Sequence, residues 1–392
     1  MEYLRHILCF CLFVGGAIAS SSVNNVDDFG AIGDGHNVDT KAFLAAWNET
    51  CGSTGNPTLL IPSGKTYFVG PVTFSGPCKA DSITVQVDGT VMASTDLHLF
   101  GEEWVLFGWL NNLVVTGKGT FDGQGSSAWP YNVCPFRSKC KILPCSLKFA
   151  YTNNTVVSGI TSLNSKFFHY ALLDNTNFNA YNLRITAPNE SPNTDGIHLE
   201  RCRGVSIVDS QIGTGDDCIS IGPGNSDVLV KNIKCGPGHG ISVGSLGKYP
   251  EEGNVEGLLV TDCKLTGTLN GVRIKTWEGS PTSTVASNVT FDNIFMNGVS
   301  NPIVIDQTYC PYTSCPKSSP SRVKIQGVTF SNIRGSSATE MAVMMQCSEG
   351  FPCQDVNLKD VQLQYSAGTA KASCLNVRAN YSGVQVPPPC SN

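Results

Sequence analysis

The sequence predicts an all-β fold, a right-handed parallel β-helix, and three observations support this prediction. Charged residues make up only 15% of the 392-residue chain, which contains 40 glycines, and this composition is typical of β structure with many tight turns. Short alternating apolar segments recur without intervening helical patterns. No linker or low-complexity stretch divides the chain. We therefore expect a single β-helix domain over residues 20–392, after a signal peptide at residues 1–19.

The N-terminal segment has the features of a secretory signal peptide. Arg5 and His6 provide a weakly basic start, residues 7–14 are apolar, and residues 17–19 (Ala-Ile-Ala) supply the small residues of a cleavage site. The apolar stretch is shorter than the roughly 20 residues that span a bilayer. The sequence therefore predicts a secreted protein without membrane association.

One helix is predicted near the start of the mature chain. Residues 39–47 (DTKAFLAAW) combine an N-cap residue, Asp39, with helical spacing of the apolar side chains. We expect this helix to cap the open end of the solenoid.

Two short phrases recur from about residue 150 onward. The first is an alternating pair of apolar residues: Val205-Ser206-Ile207, Val228-Leu229-Val230, Val289-Thr290-Phe291, Val323-Lys324-Ile325 and Val356-Asn357-Leu358. The second is similar: Ile197-His198-Leu199, Ile219-Ser220-Ile221, Ile241-Ser242-Val243, Val272-Arg273-Ile274 and Ile303-Val304-Ile305. The second phrase starts at intervals of 22, 22, 31 and 31 residues, and periods of this length indicate a solenoid.

The period favours a parallel β-helix in which each turn contributes about three short strands. The apolar residues of the phrases would point inward and stack in columns. Asparagines such as Asn232, Asn293 and Asn332 suit the corners, because asparagine tolerates the left-handed backbone conformation. A two-sheet sandwich is the alternative, but a less regular strand period is expected there.

Cysteine usage fits an oxidising compartment. Fifteen of the 17 cysteines follow residue 19, so at least one thiol must stay free or pair between chains. The spacings predict loop-closing disulfides rather than metal sites, at Cys140/Cys145, Cys310/Cys315 and Cys347/Cys353. Five sequons permit glycosylation, at Asn48, Asn153, Asn189, Asn288 and Asn380.

The repeat also aligns candidate catalytic residues. The position two residues before the start of the second phrase holds Asp195, then Asp217, then His239, with Asp216 beside Asp217. Neighbouring rungs of a parallel sheet lie about 4.8 Å apart. Each residue alone would be an ordinary turn residue, but their coincidence on consecutive rungs indicates a site. Stacked carboxylates repel, so at least one should have a raised pKa, and an acid beside an ionised base is what glycoside hydrolysis requires.

The next rung adds two cations, Arg273 and Lys275. The formal net charge of −5 argues against a general nucleic-acid binder. It would also repel a polyanion at long range, so these local cations would have to overcome that repulsion to hold an acidic substrate.

Four motifs resemble, in order and spacing, the signatures of polygalacturonases, glycoside hydrolase family 28. They are Asn193-Thr194-Asp195, Gly215-Asp216-Asp217, Gly238-His239-Gly240 and Arg273-Ile274-Lys275. The resemblance extends from Asp27 to the final cysteines and is closest to the plant members. Four ordered motifs are highly specific, whereas any one of them would be weak.

The resemblance implies a role for each motif residue. Asp216 resembles the general acid that protonates the glycosidic oxygen. Asp195 and Asp217 resemble the pair that activates water on the opposite face, which inverts the anomeric centre. His239 is similar to the histidine that maintains the protonation and geometry of the acid.

The resemblance also implies how the polymer is held. It assigns substrate binding to Asn193, Arg273, Lys275 and Tyr309, and a disulfide around the catalytic loop to Cys218 and Cys235. It implies polygalacturonate or pectin as the acidic polysaccharide substrate and the extracellular cell wall as the location. We expect a monomer without metal or cofactor.

Three alternatives remain open. Residues 241–250 and the short C-terminal tail resemble plant exopolygalacturonases, so exo action is expected, with loops 131–145 and 276–287 closing the cleft. Endo action is the alternative. A β-helical lyase would need a Ca²⁺ site with six to eight oxygen ligands, and the sequence shows no compact acidic cluster of that size. A non-catalytic wall-binding relative would be expected to lose a motif residue.

Overall fold

The structure, a computed structural model, describes residues 22–390 except 135, 138, 313, 314 and 316–319. The expected signal peptide therefore lies outside the described residues. Within the described part, no helix is both long enough and apolar enough to cross a membrane.

Every turn of the chain adds strands to two stacked sheets. We call the sheet of 11 strands the site sheet. Its strands are Val72–Ser75, Glu103–Gly108, Cys145–Ala150, Tyr170–Leu173, Ile197–Glu200, Ile219–Ile221, Ile241–Leu246, Asn270–Trp277, Asn301–Tyr309, Met341–Gln346 and Lys371–Leu375.

The other sheet contains two rows of strands that merge where the later strands become long. The first row comprises Val23–Asn25, Thr58–Ile61, Ile83–Val87, Leu113–Gly117, Asn153–Ser158, Thr176–Tyr181, Arg203–Val208, Ser226–Lys231, Val255–Thr261, Val285–Val299, Lys324–Ser337, Cys353–Tyr365 and Val377–Val386. The second row comprises Asp34–Val38, Thr66–Val69, Thr90–Ala93, Thr120–Asp122, Thr161–Leu163, Arg184–Thr186, Gln211–Gly213, Lys234–Cys235 and Lys264–Thr266. All the strand ladders are parallel, so the predicted parallel β-helix is confirmed.

The second phrase of the repeat sets the register of the site sheet. Its starting residues stack as one buried inner column: Ile197, Ile219, Ile241, Val272 and Ile303. Four of the five copies of the first phrase stack in one column, and the copy that begins at Val323 does not. Val289 pairs with Val328, not with Val323, because Lys324 begins a long strand whose first residues pair with Val285 and Ala286.

The N-terminal end is capped as predicted, by a helix that is longer than expected. The helix spans Thr40–Gly52, and its buried face includes Phe43 and Trp47. Asp39 is the N-cap residue, but its side chain makes no capping hydrogen bond. Its carboxylate instead accepts hydrogen bonds from the backbone N–H groups of Ile32 (2.7 Å) and Gly33 (3.3 Å).

Short 3₁₀-helices complete the regular structure, at Val26–Phe29, Leu97–Leu99, Gly125–Ser127 and Trp129–Tyr131. The predicted corner asparagines, Asn232, Asn293 and Asn332, have φ angles of 53°, 50° and 52°. These are left-handed conformations, which asparagine adopts more readily than most residues.

Among the described residues, six disulfides stabilise the solenoid: Cys51–Cys78, Cys134–Cys140, Cys218–Cys235, Cys310–Cys315, Cys347–Cys353 and Cys374–Cys390. The predicted pair Cys140/Cys145 is wrong. Cys145 begins a strand of the site sheet and is a buried free thiol, so Cys140 pairs backward with Cys134 within one loop. Cys202 and Cys263 are also free and buried.

Candidate active site

Three consecutive turns deliver the acidic residues and the histidine to the beginning of strands in the site sheet. The strands that follow these turns are in register, and the ladder continues into the turns, where the Gly196 N–H donates to the Asp217 carbonyl at 2.9 Å. Asp195, Asp217 and His239 consequently occupy equivalent positions on three successive rungs. The register predicted from the repeat places them correctly.

Asp217 is the buried anion at the centre of the cluster. Its Oδ2 accepts from Lys275 Nζ at 2.7 Å, and its Oδ1 accepts from Arg273 at 3.0 Å and from the Ser242 hydroxyl at 2.8 Å. Burial acts to lower the pKa of Lys275, but the negative charge of Asp217 outweighs it and the net shift is upward. The lysine is therefore held as a cation beside the Asp217 carboxylate.

Asp216 points away from that cluster and contacts His239. Its Oδ1 lies 3.0 Å from His239 Nδ1 and accepts from the Asp217 N–H at 2.8 Å, while its Oδ2 accepts from the Asn193 amide at 3.2 Å. Burial acts to raise the pKa of Asp216, but the hydrogen bond and charge of His239 outweigh it and lower the pKa to about 2. The pKa of His239 is raised: burial opposes the shift, and the bond and charge of Asp216 more than compensate.

Asp195 has the opposite electrostatic environment. It is buried, and its pKa is raised by that burial and then by the charges of Asp216 and Asp217. Of the two carboxyls whose pKa values are shifted, Asp195 and Asp216, Asp195 therefore holds a proton more readily in the free protein. The sequence predicted that at least one stacked carboxyl would have a raised pKa, and the structure identifies which one.

The rung order alone did not give the partner of the histidine. His239 shares a register position with Asp217 but bonds to its neighbour, Asp216. Adjacent residues direct their side chains differently, and both oxygens of Asp217 are already bound by Arg273 and Lys275. The imidazole therefore pairs with the carboxyl that the two cations leave accessible.

Tyr309 lies over both cations. Its ring centroid is 5.9 Å from the Arg273 guanidinium carbon and 5.3 Å from Lys275 Nζ. Trp277 packs edge-on against the ring at 5.5 Å. All eight predicted site residues, from Asn193 to Tyr309, thus lie in one contiguous cluster.

Sequence reasoning missed the polar residues that support this cluster. Ser242 and Ser220 lie on the same outward column as Arg273. Ser242 accepts from Arg273 Nε at 3.2 Å, and Ser220 lies 2.8 Å from His198 Nδ1. The signal was present in the second phrase, whose middle position is polar in four of its five copies. Among these middle residues, the sequence analysis assigned a role only to Arg273.

Asp216, Asp217 and His239 each offer one atom within 4.8 Å of the others, a spacing that a metal ion could use. Arg273 and Lys275, however, occupy both oxygens of Asp217. Two adjacent cations would repel a divalent ion, so the donor set fits acid–base chemistry better than a metal.

The parallel β-helix carries clustered carboxyls, an imidazole, a buried lysine and a half-buried arginine on one outer face. Such an arrangement is suited to acid–base catalysis on an anionic substrate. The sequence pattern of the glycosyl hydrolases family 28 matches residues 51–383. The chain belongs to this family.

Relatives and a solved structure agree with that assignment. An exopolygalacturonase of Platanus acerifolia is 44% identical over 375 residues, covering 95% of this chain and 98% of the relative. A polygalacturonase of Gossypium hirsutum is 45% identical over 383 residues, covering 97% and 93%. The fold is similar to that of an endo-xylogalacturonan hydrolase from Aspergillus tubingensis, with a TM-score of 0.80 and 21% identity over 92% of this chain and 100% of that one.

Proposed function

We propose that this protein hydrolyses α-1,4-galacturonosyl bonds in polygalacturonate by an inverting acid–base mechanism. The observation that carries the proposal is the division of the carboxyls. Asp216 bonds to His239, while the adjacent Asp217 bonds to Lys275 and Arg273. Relatives named polygalacturonases support the choice of substrate.

The acid in this proposal is the hydrogen-bonded pair of Asp216 and His239. At mildly acidic pH the pair holds one proton, because the pKa of His239 is raised. The charge of Lys275 is one of the influences that lower the pKa of Asp216. A substrate carboxylate bound to that lysine would offset its charge, so binding would favour transfer of the proton to Asp216 and then to the glycosidic oxygen.

The base in this proposal is the pair of Asp195 and Asp217. Asp195 holds a proton readily, so it can donate a hydrogen bond to a water molecule while the Asp217 carboxylate accepts one. As the glycosidic bond breaks, the water oxygen bonds to the anomeric carbon and its proton passes to the carboxylate. Inversion itself is inferred from the family resemblance.

Arg273, Lys275 and Tyr309 are proposed to bind the substrate carboxylate beside the scissile bond. A planar guanidinium and a buried ammonium together offer donors for both carboxylate oxygens. The overall charge of the protein is −5, so the attraction for an anionic substrate would come from these local cations.

We further propose exo action from the non-reducing end, because a loop lies against the catalytic turn. The amide of Asn132 donates to the Pro192 carbonyl at 3.2 Å and to Asn193 Oδ1 at 3.1 Å. The Cys134–Cys140 disulfide constrains the same loop. These contacts support a wall at one end of the cleft, and several relatives are named exopolygalacturonases.

A time course on de-esterified polygalacturonate at mildly acidic pH tests both proposals. Reducing ends that rise with little loss of viscosity, with monomer as the first product, are expected. A sharp viscosity drop with few new ends would make the enzyme an endo-hydrolase. An unsaturated product, or loss of activity with a chelator, would indicate a lyase.

Two variants test the residue roles. Asp216→Asn should abolish turnover while the protein stays folded, and substantial remaining activity would exclude Asp216 as the acid. Arg273→Ala should weaken substrate binding, and unchanged affinity would contradict its role. If wild type and Asp216→Asn both fail to produce reducing ends yet bind the polymer, the protein is a wall-binding β-helix.

We propose that the protein acts as a secreted monomer at the cell wall. Six disulfides fit an oxidising compartment. Four of the five sequon asparagines are exposed, and the fifth, Asn153, is half-buried. Mass spectrometry of the secreted protein would show the cleavage site and the glycosylated asparagines.

A further inference from the structure

A column of exposed side chains, most of them basic, runs along the outer face of the second strand row and of the long strands that continue it, in a different sheet from the site sheet. Register pairs place its members on successive rungs: Arg184, Gln211, Lys234, Lys264, Phe295 and Arg334. Each is exposed, and successive rungs lie about 4.8 Å apart. We call this column the basic track.

The cations of the track are not neutralised by protein carboxylates. In the described part of the chain, none of its four cations takes part in an ion pair. The nearest acidic side chains along the strands, Asp209 and Asp262, lie at the adjacent corner. Each accepts a hydrogen bond there, from Asn232 and Asn293 respectively, at 2.6 Å. On a chain of net charge −5, this segregation favours an anionic partner.

Beside the track lies a groove of about 460 Å³. Arg184, Lys234 and Lys264 contribute to its walls. Gly236 lies in its lining at φ 134°, and a Cβ there would lie 2.1 Å from the Thr266 carbonyl oxygen, so the close approach of these two rungs requires glycine. A groove bordered by three cations is a place where an anionic chain can lie.

An aromatic ring interrupts the cations. Phe295 is 40% exposed, and Lys264 Nζ lies 5.8 Å from its ring centroid. A cation beside an exposed ring provides both a charge for a carboxylate and an apolar face for sugar C–H groups. Along the track this ring lies between two cations, Lys264 and Arg334, and the relatives named polygalacturonases favour an acidic glycan over other polyanions.

We propose that the basic track is a second binding site for an acidic polysaccharide chain, which it holds without cleaving it. A polyuronate carries one carboxylate per sugar, so an extended chain presents charges to cations placed on successive rungs. The site would keep the enzyme on its polymer between cleavage events. This inference takes the polymer class from the proposed function but concerns a different face of the molecule.

Affinity electrophoresis in cold gels that contain polygalacturonate tests the proposal. Lys234→Gln/Lys264→Gln should bind about tenfold more weakly than wild type, given the contribution of an exposed ion pair between each lysine and a substrate carboxylate. The matched control, Lys41→Gln/Lys324→Gln, removes two exposed lysines, on the capping helix and in the first row. It should be retarded like wild type. In gels with fully methyl-esterified pectin, the difference between the two double variants should disappear.

Equal retardation of the two double variants in polygalacturonate would overturn the proposal, because net charge alone would then explain it. Turnover of trigalacturonate should be unchanged in Lys234→Gln/Lys264→Gln, since the cleft is intact. Loss of that turnover would assign the lysines to the cleft and also overturn the proposal. Failure of wild type to release reducing ends would refute the proposed hydrolysis independently of either retardation result.

Discussion

The two faces of the site sheet differ in what stabilises their buried side chains. Five consecutive strands carry an inner column and an outer column in the same register. The inner column is Ile197, Ile219, Ile241, Val272 and Ile303; the outer column is His198, Ser220, Ser242, Arg273 and Val304. Both columns are largely buried, yet the first contributes to the core and the second to the site.

The difference lies in how the buried groups are satisfied. Each inner side chain packs against its neighbours, and its contribution depends on apolar contact that any similar side chain could make. The outer side chains depend on specific partners, such as Ser242 between Asp217 and Arg273. Removing an inner residue should therefore reduce stability, whereas removing an outer one should also disturb the chemistry.

The largest expected effect is that of Asp217→Asn on the outer face. Turnover should fall by about 10³-fold or more, and the free energy of unfolding should fall by about 3–5 kcal/mol, because Arg273 and Lys275 lose their buried anion. Reducing-end assays and urea unfolding measure the two effects. Asp227→Asn, which removes an exposed pair with Arg203, is the control and should cost less than about 1 kcal/mol. Equal losses in both variants would contradict this account.

Ile241→Ala tests the inner face. It should lower the free energy of unfolding by about 2–5 kcal/mol and leave kcat/KM of the folded protein nearly unchanged. Ile207 is also fully buried but lies in the first strand row, and Ile207→Ala should have the same effects on unfolding free energy and on kcat/KM. If Ile241→Ala reduced kcat/KM as severely as Asp217→Asn, the proposed separation of the two faces would be wrong.

His239→Gln tests the pH dependence. The pKa of His239 is raised from 6.5 in the folded protein, so its stabilising contribution is complete below pH 6.5 and is lost as pH rises through the folded value. Urea unfolding at several pH values should show this loss in wild type and not in the variant. Turnover should fall about 10- to 100-fold, and the alkaline limb of the rate profile should move. An unaltered profile would show that the histidine does not control the acid.

The lowered pKa of Asp216 predicts the opposite pH dependence of the free energy of unfolding, at acidic pH. Its pKa is lowered from 3.8 to about 2, so its contribution is present above pH 3.8 and is lost as pH falls toward 2. Asp195, whose pKa is raised, opposes this loss. In Asp216→Asn the decline in the free energy of unfolding below pH 4 should therefore be shallower than in wild type.

The smallest expected effect is that of Ser242→Ala. It removes the hydroxyl between Asp217 and Arg273 and should cost about 1–3 kcal/mol in unfolding free energy, with a severalfold drop in kcat/KM. Ser206→Ala, on an outward position of the first strand row, is the control and should change neither. If Ser242→Ala changed neither the unfolding free energy nor kcat/KM, the ion pairs would position the cations without the hydroxyl.

The sequence by itself determined the parallel β-helix and the convergence of the site residues. Both follow from periodicity, because residues at equal positions in successive turns must stack. The inner column from Ile197 to Ile303 was visible for that reason, and so was the shared rung position of Asp195, Asp217 and His239.

Only the tertiary structure decided which of these neighbours bond. Periodicity fixes the rung of a residue but not the direction of its side chain, so it could not show that His239 pairs with Asp216. Nor could it show that Lys275 reaches Asp217, two rungs away. The pairing of Cys140 with Cys134 depends on the path of a non-repeating loop. The sequence therefore specified the positions along the solenoid, and three-dimensional packing selected the partners.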